Sequence, residues 1–363
     1  MHRRQYVKAA GFALSLVVPV LPFLGYQMGS VWITPILFFL ALPVLGRVLG
    51  SDPTPALNPA EIPTFMRLYY RWLPRLYFPL WLFSLVWTVQ TIARPDASVS
   101  TILGLGFSAA IGSACAAPIG HELMHRERRV DTWLVRLLVS LMGYPHFIRE
   151  HFYHHRHVGI PERSLSAPVG ESLWAFLRRI LPEGLAAASE LEREILAQRK
   201  QSIWHSSILQ NSMLTLLWAA LFVWLGGLTG FIFFVLQAVY SIFAIQAINY
   251  VQHYGLVRLP GEPVAHDLSW EDNCPVANCL TFNINHHSQH HMEPNLAYYA
   301  LDLDRQAPRL PASYMVMFLI AYIPALWRKV MDPRLVTYLK KHRGGTLQQA
   351  DGDCLAALGE AIR

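Results

Sequence analysis

Charge is the scarcest commodity in this 363-residue chain: Asp, Glu, Lys and Arg make up only 15% of it, against about 25% in an average soluble domain. That shortfall, beside 53% hydrophobic residues, excludes an ordinary soluble enzyme and points to a membrane protein. Cysteine is nearly as sparse. Four are present (Cys115, Cys274, Cys279, Cys354) with no C-x-x-C pair, which excludes a haem-attachment or iron–sulfur cysteine pattern and suggests free, reduced thiols in a cytoplasmic setting. There is no dinucleotide-binding glycine fingerprint, no internal repeat beyond paired apolar runs, and no low-complexity segment. The basic excess, +6 overall, is explained by topology rather than by nucleic acid.

What is present is a series of apolar runs. A bilayer core about 30 Å thick takes ~20 apolar residues as helix. Six such runs are read: Ala9–Gln27, Val31–Gly50, Leu76–Ala93, Thr101–Gly120, Ile208–Gly226 and Thr229–Tyr250. They pair as three hairpins around Met28-Gly29-Ser30, Arg94-Pro95-Asp96 and Gly226-Gly227-Leu228. Basic residues at the start (Arg3, Arg4, Lys8), after the second run (Arg67, Arg71, Arg75) and after the fourth (Arg126, Arg128, Arg129) place those ends and both termini in the cytoplasm by the positive-inside rule. The first run is long and leads straight into a second, which argues against a cleaved signal peptide. The expected class is all-α: a multi-pass inner-membrane protein with six transmembrane helices and a cytoplasmic, histidine-rich helical cap. The segments are spans one to four (1–120), a cytoplasmic piece (121–207), spans five and six (208–250), a second cytoplasmic piece (251–342) and a tail (343–363) that forms a peripheral helix or is disordered. Glu183–Lys200 reads as a soluble amphipathic strut, and Met315–Trp327 as an interfacial segment too short to span.

Histidine is what the two cytoplasmic pieces concentrate. Three clusters stand out, His121-Glu122-Leu123-Met124-His125, His151-Phe152-Tyr153-His154-His155 and His287-Ser288-Gln289-His290-His291, with His253 just after the sixth run. Residues i, i+3 and i+4 share a helix face, so each cluster can offer two or three imidazoles to one side. Neutral imidazole is a good ligand for iron, zinc, copper or nickel. Nine imidazoles exceed what one six-coordinate ion can hold, so two ions are the simpler inference. The first cluster matches H-E-x-x-H, the zinc-protease pattern, but that reading leaves the other clusters unexplained.

The three clusters resemble the histidine boxes of the membrane di-iron hydroxylases and desaturases. Within that superfamily, Asn249–Leu256 and the stretch from Ala325 to Asp332 resemble the bacterial alkane 1-monooxygenases and xylene monooxygenases. The resemblance implies two irons held by His121, His125, His151, His154, His155, His253, His287, His290 and His291, with O₂ activation and C–H oxidation at that centre and no separate catalytic side chain. It also implies electrons from a rubredoxin or ferredoxin-type carrier with its NAD(P)H reductase, and a hydrophobic substrate drawn from the bilayer. Alkane monooxygenases commonly have glutamate where Gln252 stands and aspartate where Gln289 stands; Gln252 is more like the xylene branch.

Bland readings compete with these. His286 and His290 also have i, i+4 spacing, so His286 rivals His287, which the box pattern favours. His157 and His286 otherwise read as supporting or surface residues, and His2, His146, His205, His266 and His342 as structural or surface. Glu122 and Glu150 could orient ligand histidines or pair with Arg126, Arg149 or Arg156; Asn249, Asn285, Gln252 and Gln289 could hold a histidine. Trp218, Trp224 and Phe243 read as lipid-facing or packing residues. The expected function is hydroxylation of a terminal methyl C–H in an alkane or alkyl-aromatic. The alternative is a fatty-acid desaturase or oxidative decarboxylase forming terminal alkenes, which should need a cation such as Arg149, Arg156 or Arg163 for the carboxylate. A metal transporter or sensor would want polar groups within the spans, which hold essentially none.

Overall fold

The computed structural model describes residues 3–343, apart from Glu162 and Pro260. Cys354, His2 and the 344–363 tail lie outside the described residues. Within them the chain is helical, and the single extended pairing is an isolated parallel bridge between Glu271 and Arg309. Twelve helices carry the argument: α1 (Arg3–Gln27), α2 (Ile33–Leu49), α3 (Thr64–Ile92), α4 (Val99–Met124), α5 (Arg129–Leu141), α6 (Phe147–His157), α7 (Leu173–Gln198), α8 (Ser207–His253), α9 (Pro275–Leu280), α10 (His287–Met292), α11 (Tyr314–Ala321) and α12 (Pro324–Arg343). Three of them, α1, α4 and α8, are long and apolar enough to cross a membrane.

Helix α4 is the centre of the bundle. Ser98 caps it by accepting the Thr101 N–H at 3.1 Å, and its Gly and Ala residues let neighbours approach closely. A Cβ at Gly104 would stand 2.6 Å from Val31, and one at Gly120 2.9 Å from Leu138. Helix α8 surrounds it as two antiparallel arms. Gly226 and Gly227 leave helical geometry, and Gly227 takes φ 56°, ψ −138°, a conformation open to glycine and little else. Phe222 stacks on Phe233 at 5.9 Å and packs on Phe234 at 5.5 Å; in a straight helix those residues would be ~16 Å apart, so the chain reverses. The break falls where the sequence placed a turn. Leu216, Leu217, Trp224, Leu228 and Val239 on these arms are exposed, as side chains facing lipid would be.

Several expectations need correction. Arg67, Arg71 and Arg75, which fall between the second and third expected runs, are helical: α3 begins at Thr64, twelve residues before the expected run. Arg75 is buried in it, forming a two-pronged ion pair with Asp131 of α5 at 2.7 and 2.9 Å. The second apolar run is shorter than read, 17 residues, and its Leu37–Ala41 turn is a π-helix. Pro43 has no N–H to return to the Phe39 carbonyl, which accounts for the widened turn. The strut starts at Leu173, not Glu183, and its Glu192 is buried against Arg149 of α6. Met315–Trp327 is two helices, broken before Pro324, with Met317 and Trp327 fully buried. The runs are not free of polar groups either: Gln237 is buried and donates to the Leu141 carbonyl at 2.9 Å.

Candidate metal centre

Four elements bring the histidines together. Helix α4 carries His121, and His125 follows as its C-terminal cap, just beyond the helix rather than on it. Helix α6 presents His151, His154 and His155, α8 ends on His253, and the six-residue α10 presents His287, His290 and His291. The nine imidazoles fall into two groups. One is His121, His125, His151, His155 and His290; the other is His154, His253, His287 and His291; within each, one ring nitrogen per residue lies within 4.8 Å of all the others. Neighbours in sequence separate: His154 and His155 join different groups, as do His290 and His291. Successive residues on a helix point ~100° apart, so one helix serves both groups.

The donor chemistry fits metal better than it fits a hydrogen-bonded core. Nε2 of His125 lies 2.8 Å from Nε2 of His151, His155 3.0 Å from His290, His287 3.0 Å from His291, and His154 3.2 Å from His291. In each such pair at most one nitrogen can donate. Neither group contains a carboxylate. Nε2 of His121 and His253 and Nδ1 of His154, His287 and His291 are buried without a hydrogen-bond partner, which costs about 1–3 kcal/mol apiece unless something else satisfies them. Burial, reinforced by the neighbouring imidazoles, lowers His155 to about 3 and holds His151, His154, His287, His290 and His291 well below the usual histidine value. The rings are therefore neutral at pH 7, the form that offers a lone pair to a cation. His253 donates from Nδ1 to the Leu268 carbonyl at 2.7 Å, which fixes its tautomer and leaves Nε2 as the free donor atom.

The remaining candidates are elsewhere. His286 takes no part in either group: its Nε2 meets Asn273 Oδ1 at 3.0 Å and its Nδ1 the Leu301 carbonyl at 3.3 Å. His157 bonds the Tyr153 carbonyl, and His266 pairs with Asp304. Glu122 pairs with Arg126. Glu150 is held by Tyr144 at 2.7 Å and Gln246 at 2.6 Å, while Arg149 and Arg156 pair with Glu192 and Glu194 instead. Burial pushes Glu150 up to about 7 against those two hydrogen bonds. It fits beneath α7 because Gly184 has no Cβ; one placed there would stand 2.8 Å from the carboxyl group. Asn249 reaches the Leu165 carbonyl and Gln246, Asn285 reaches Asn278, and Gln289 accepts the Asp302 N–H. The backbone carbonyl of Gln252 takes the Trp270 N–H, and its side-chain Nε2 is buried without a hydrogen-bond partner. The side-chain hydrogen bonds of Asn249, Asn285 and Gln289 thus go to groups other than histidines. Tyr144, Gln246, Leu268 and Glu271 are marked by no sequence motif.

The two rival histidines are separable. Replacing His286 with alanine is expected to leave bound metal unchanged, whereas His287→Ala should lower it; metal analysis of the purified variants checks this, and the opposite order would exchange their roles.

A cavity of about 260 Å³ opens against the histidines. His121 and His151 of one group and His154 and His287 of the other lie in its wall. The rest of its surface is overwhelmingly apolar, with Ala114, Ala117, Pro118, Ala244 and Ile245 from α4 and α8, Phe38 and Phe39 from the π-helical turn, and Phe318 from α11.

The fatty acid desaturase family model matches residues 97–321, and the chain belongs to that family, among the membrane-bound non-haem iron hydroxylases and desaturases. It is an oxidoreductase, a monooxygenase. It is 32% identical to alkane 1-monooxygenase 1 of Alcanivorax borkumensis over 90% of this chain and 84% of that protein. It is 31% identical to alkane 1-monooxygenase of Ectopseudomonas oleovorans over 94% and 88%. The xylene/toluene monooxygenase hydroxylase component XylM of Pseudomonas putida is 27% identical over 86% and 84%.

Proposed function

We propose that this chain is a di-iron monooxygenase that hydroxylates a terminal methyl C–H of a hydrophobic substrate, an alkane or alkyl-aromatic. The observation that carries the reading is the apolar cavity whose wall includes histidines of both groups. In this reading one iron takes His121, His125, His151, His155 and His290, and the other His154, His253, His287 and His291. Bound there, iron supplies O₂ activation and C–H oxidation. The protein's own part is position and exclusion. Small side chains of α4 leave room for a hydrocarbon chain or ring, and aliphatic walls keep water from the reacting carbon. Overall, RCH₃, O₂, two electrons and two protons give RCH₂OH and water. The electrons come from a rubredoxin or ferredoxin-type carrier with an NAD(P)H reductase.

The membrane arrangement belongs to the same proposal. Six spans divide the chain as 1–120 and 208–250, with both termini and the histidine cap on the cytoplasmic side of an inner membrane. The substrate then enters from the bilayer, and electrons arrive from soluble carriers.

A fatty-acid substrate is supported less well. Among the described residues no Lys or Arg lines the cavity, and Arg149 and Arg156 are engaged with Glu192 and Glu194. Membranes supplied with the carrier, reductase and NAD(P)H and offered an alkane, a xylene and a medium-chain fatty acid are expected to yield a primary alcohol from a hydrocarbon, read by gas chromatography. An alkene as the sole product would overturn this in favour of desaturation or decarboxylation. Zinc alone in the purified protein, without iron-dependent O₂ consumption, would overturn both.

A further inference from the structure

The group of four histidines is assembled from three separate helices, and a short loop ties two of them together. His253 ends α8, and His287 and His291 lie on α10. Between them in sequence runs the segment 268–271. On one side it is sewn to the end of α8: the Leu268 carbonyl takes His253 Nδ1–H at 2.7 Å, the Trp270 N–H donates to the Gln252 carbonyl at 2.7 Å, and Trp270 Nε1 donates to the Tyr254 carbonyl at 2.9 Å. On the other side it holds α10. Ser288 donates its backbone N–H to Glu271 Oε1 at 3.0 Å and its hydroxyl to the Ser269 carbonyl at 3.1 Å.

Glu271 is the pivot of this brace. Its side chain is fully buried, and its second oxygen accepts the Asp304 N–H at 3.1 Å and Arg309 Nη1 at 3.3 Å. Its backbone pairs with the 308–310 segment, N–H to the Pro308 carbonyl at 2.8 Å and carbonyl to the Leu310 N–H at 2.9 Å. A six-residue helix has too few internal hydrogen bonds to hold itself in place, so α10 depends on such outside attachments. A carboxyl at its N-terminal turn also satisfies an amide that the helix cannot.

We infer that Glu271 is a positioning residue for the four-histidine group: it fixes α10 against His253 and so sets the mutual placement of three of that group's four imidazoles. This inference rests on the metal-centre reading above. The five-histidine group takes one imidazole, His290, from α10 and is therefore less dependent on the brace. The consequence is selective: disturbing Glu271 weakens one metal site more than the other.

The test uses full-length protein purified in detergent and loaded with iron or, for its visible spectrum, with cobalt(II). Wild type is expected to bind two ions per chain. Glu271→Leu, which removes both acceptors, is expected to retain about one, with loss of the intense bands of a four-coordinate cobalt site and survival of the weaker bands of higher coordination. Glu271→Gln, which keeps one acceptor oxygen, is expected to restore most of the second ion. Helix content by circular dichroism separates lost metal from lost fold. If Glu271→Leu does not fold, Glu271→Asp keeps the carboxyl group but falls short of Ser288, and it should show the same selective loss in milder form. Full occupancy in a folded Leu or Asp variant overturns the inference, as does equal loss from both sites. Wild type that binds no metal would instead overturn the metal-centre reading on which it stands.

Discussion

Replacing His155 with alanine is expected to abolish turnover and lower bound iron. His155 is the least buried of the nine imidazoles, so its loss disturbs packing less than the loss of any other. Its Nε2 nonetheless lies 3.0 Å from that of His290, and its ring packs against His151, with centroids 4.5 Å apart. Removing it takes one of five nitrogens from its group and leaves the Nε2 of His290 without its neighbour. Loss of groups that merely orient a ligand costs ~10–100-fold in affinity or activity, so removal of a ligand itself should exceed that range. Iron per chain and product formation are the two measurements. Retention of both would take His155 out of the proposed ligand set.

A second large effect is expected at Gly230, far from the histidines. A Cβ there would sit 2.0 Å from the Phe222 carbonyl oxygen, a backbone atom that cannot swing aside. The two arms of α8 would have to part, uncoupling the Phe222 stack with Phe233 and Phe234. Gly230→Val should therefore reduce the yield of folded protein severely, with a destabilisation of several times the ~1 kcal/mol typical of point mutants. Thermal unfolding in detergent measures it; a variant with wild-type stability would show that the turn can open without cost.

The spacing rules made the histidine clusters legible because helical periodicity is local: i, i+3 and i+4 suffice to bring His151, His154 and His155 to the metal centre, though not to say that His154 joins the other group. The division into five and four was not legible, since it depends on how α4, α6, α8 and α10 converge. The carbonyl that orients His253 could not be foreseen either, because every residue has one and Leu268 carries no mark of its role. The start of α3 was misread for a different reason. Arg67, Arg71 and Arg75 look like a loop when charge is weighed alone, but Arg75 can be buried within the helix because Asp131, 56 positions away, meets it with both oxygens. Buried ion pairs of that kind are set by tertiary structure and leave no local trace. The glutamines at 252 and 289 are a further case: Gln289 accepts the Asp302 N–H rather than a histidine's, and Gln252 Nε2 has no hydrogen-bond partner.

Gly184 stands on α7, which packs against α6, and touches the cavity by proxy. The carboxyl of Glu150 lies between them, facing the hollow on one side and the missing Cβ on the other. The back of the cavity is thus adjustable from outside. Each atom added at position 184 must be accommodated by a group in the pocket wall, so drift in a surface helix becomes a route by which selection or design can reshape what the pocket accepts while every pocket-lining residue keeps its identity.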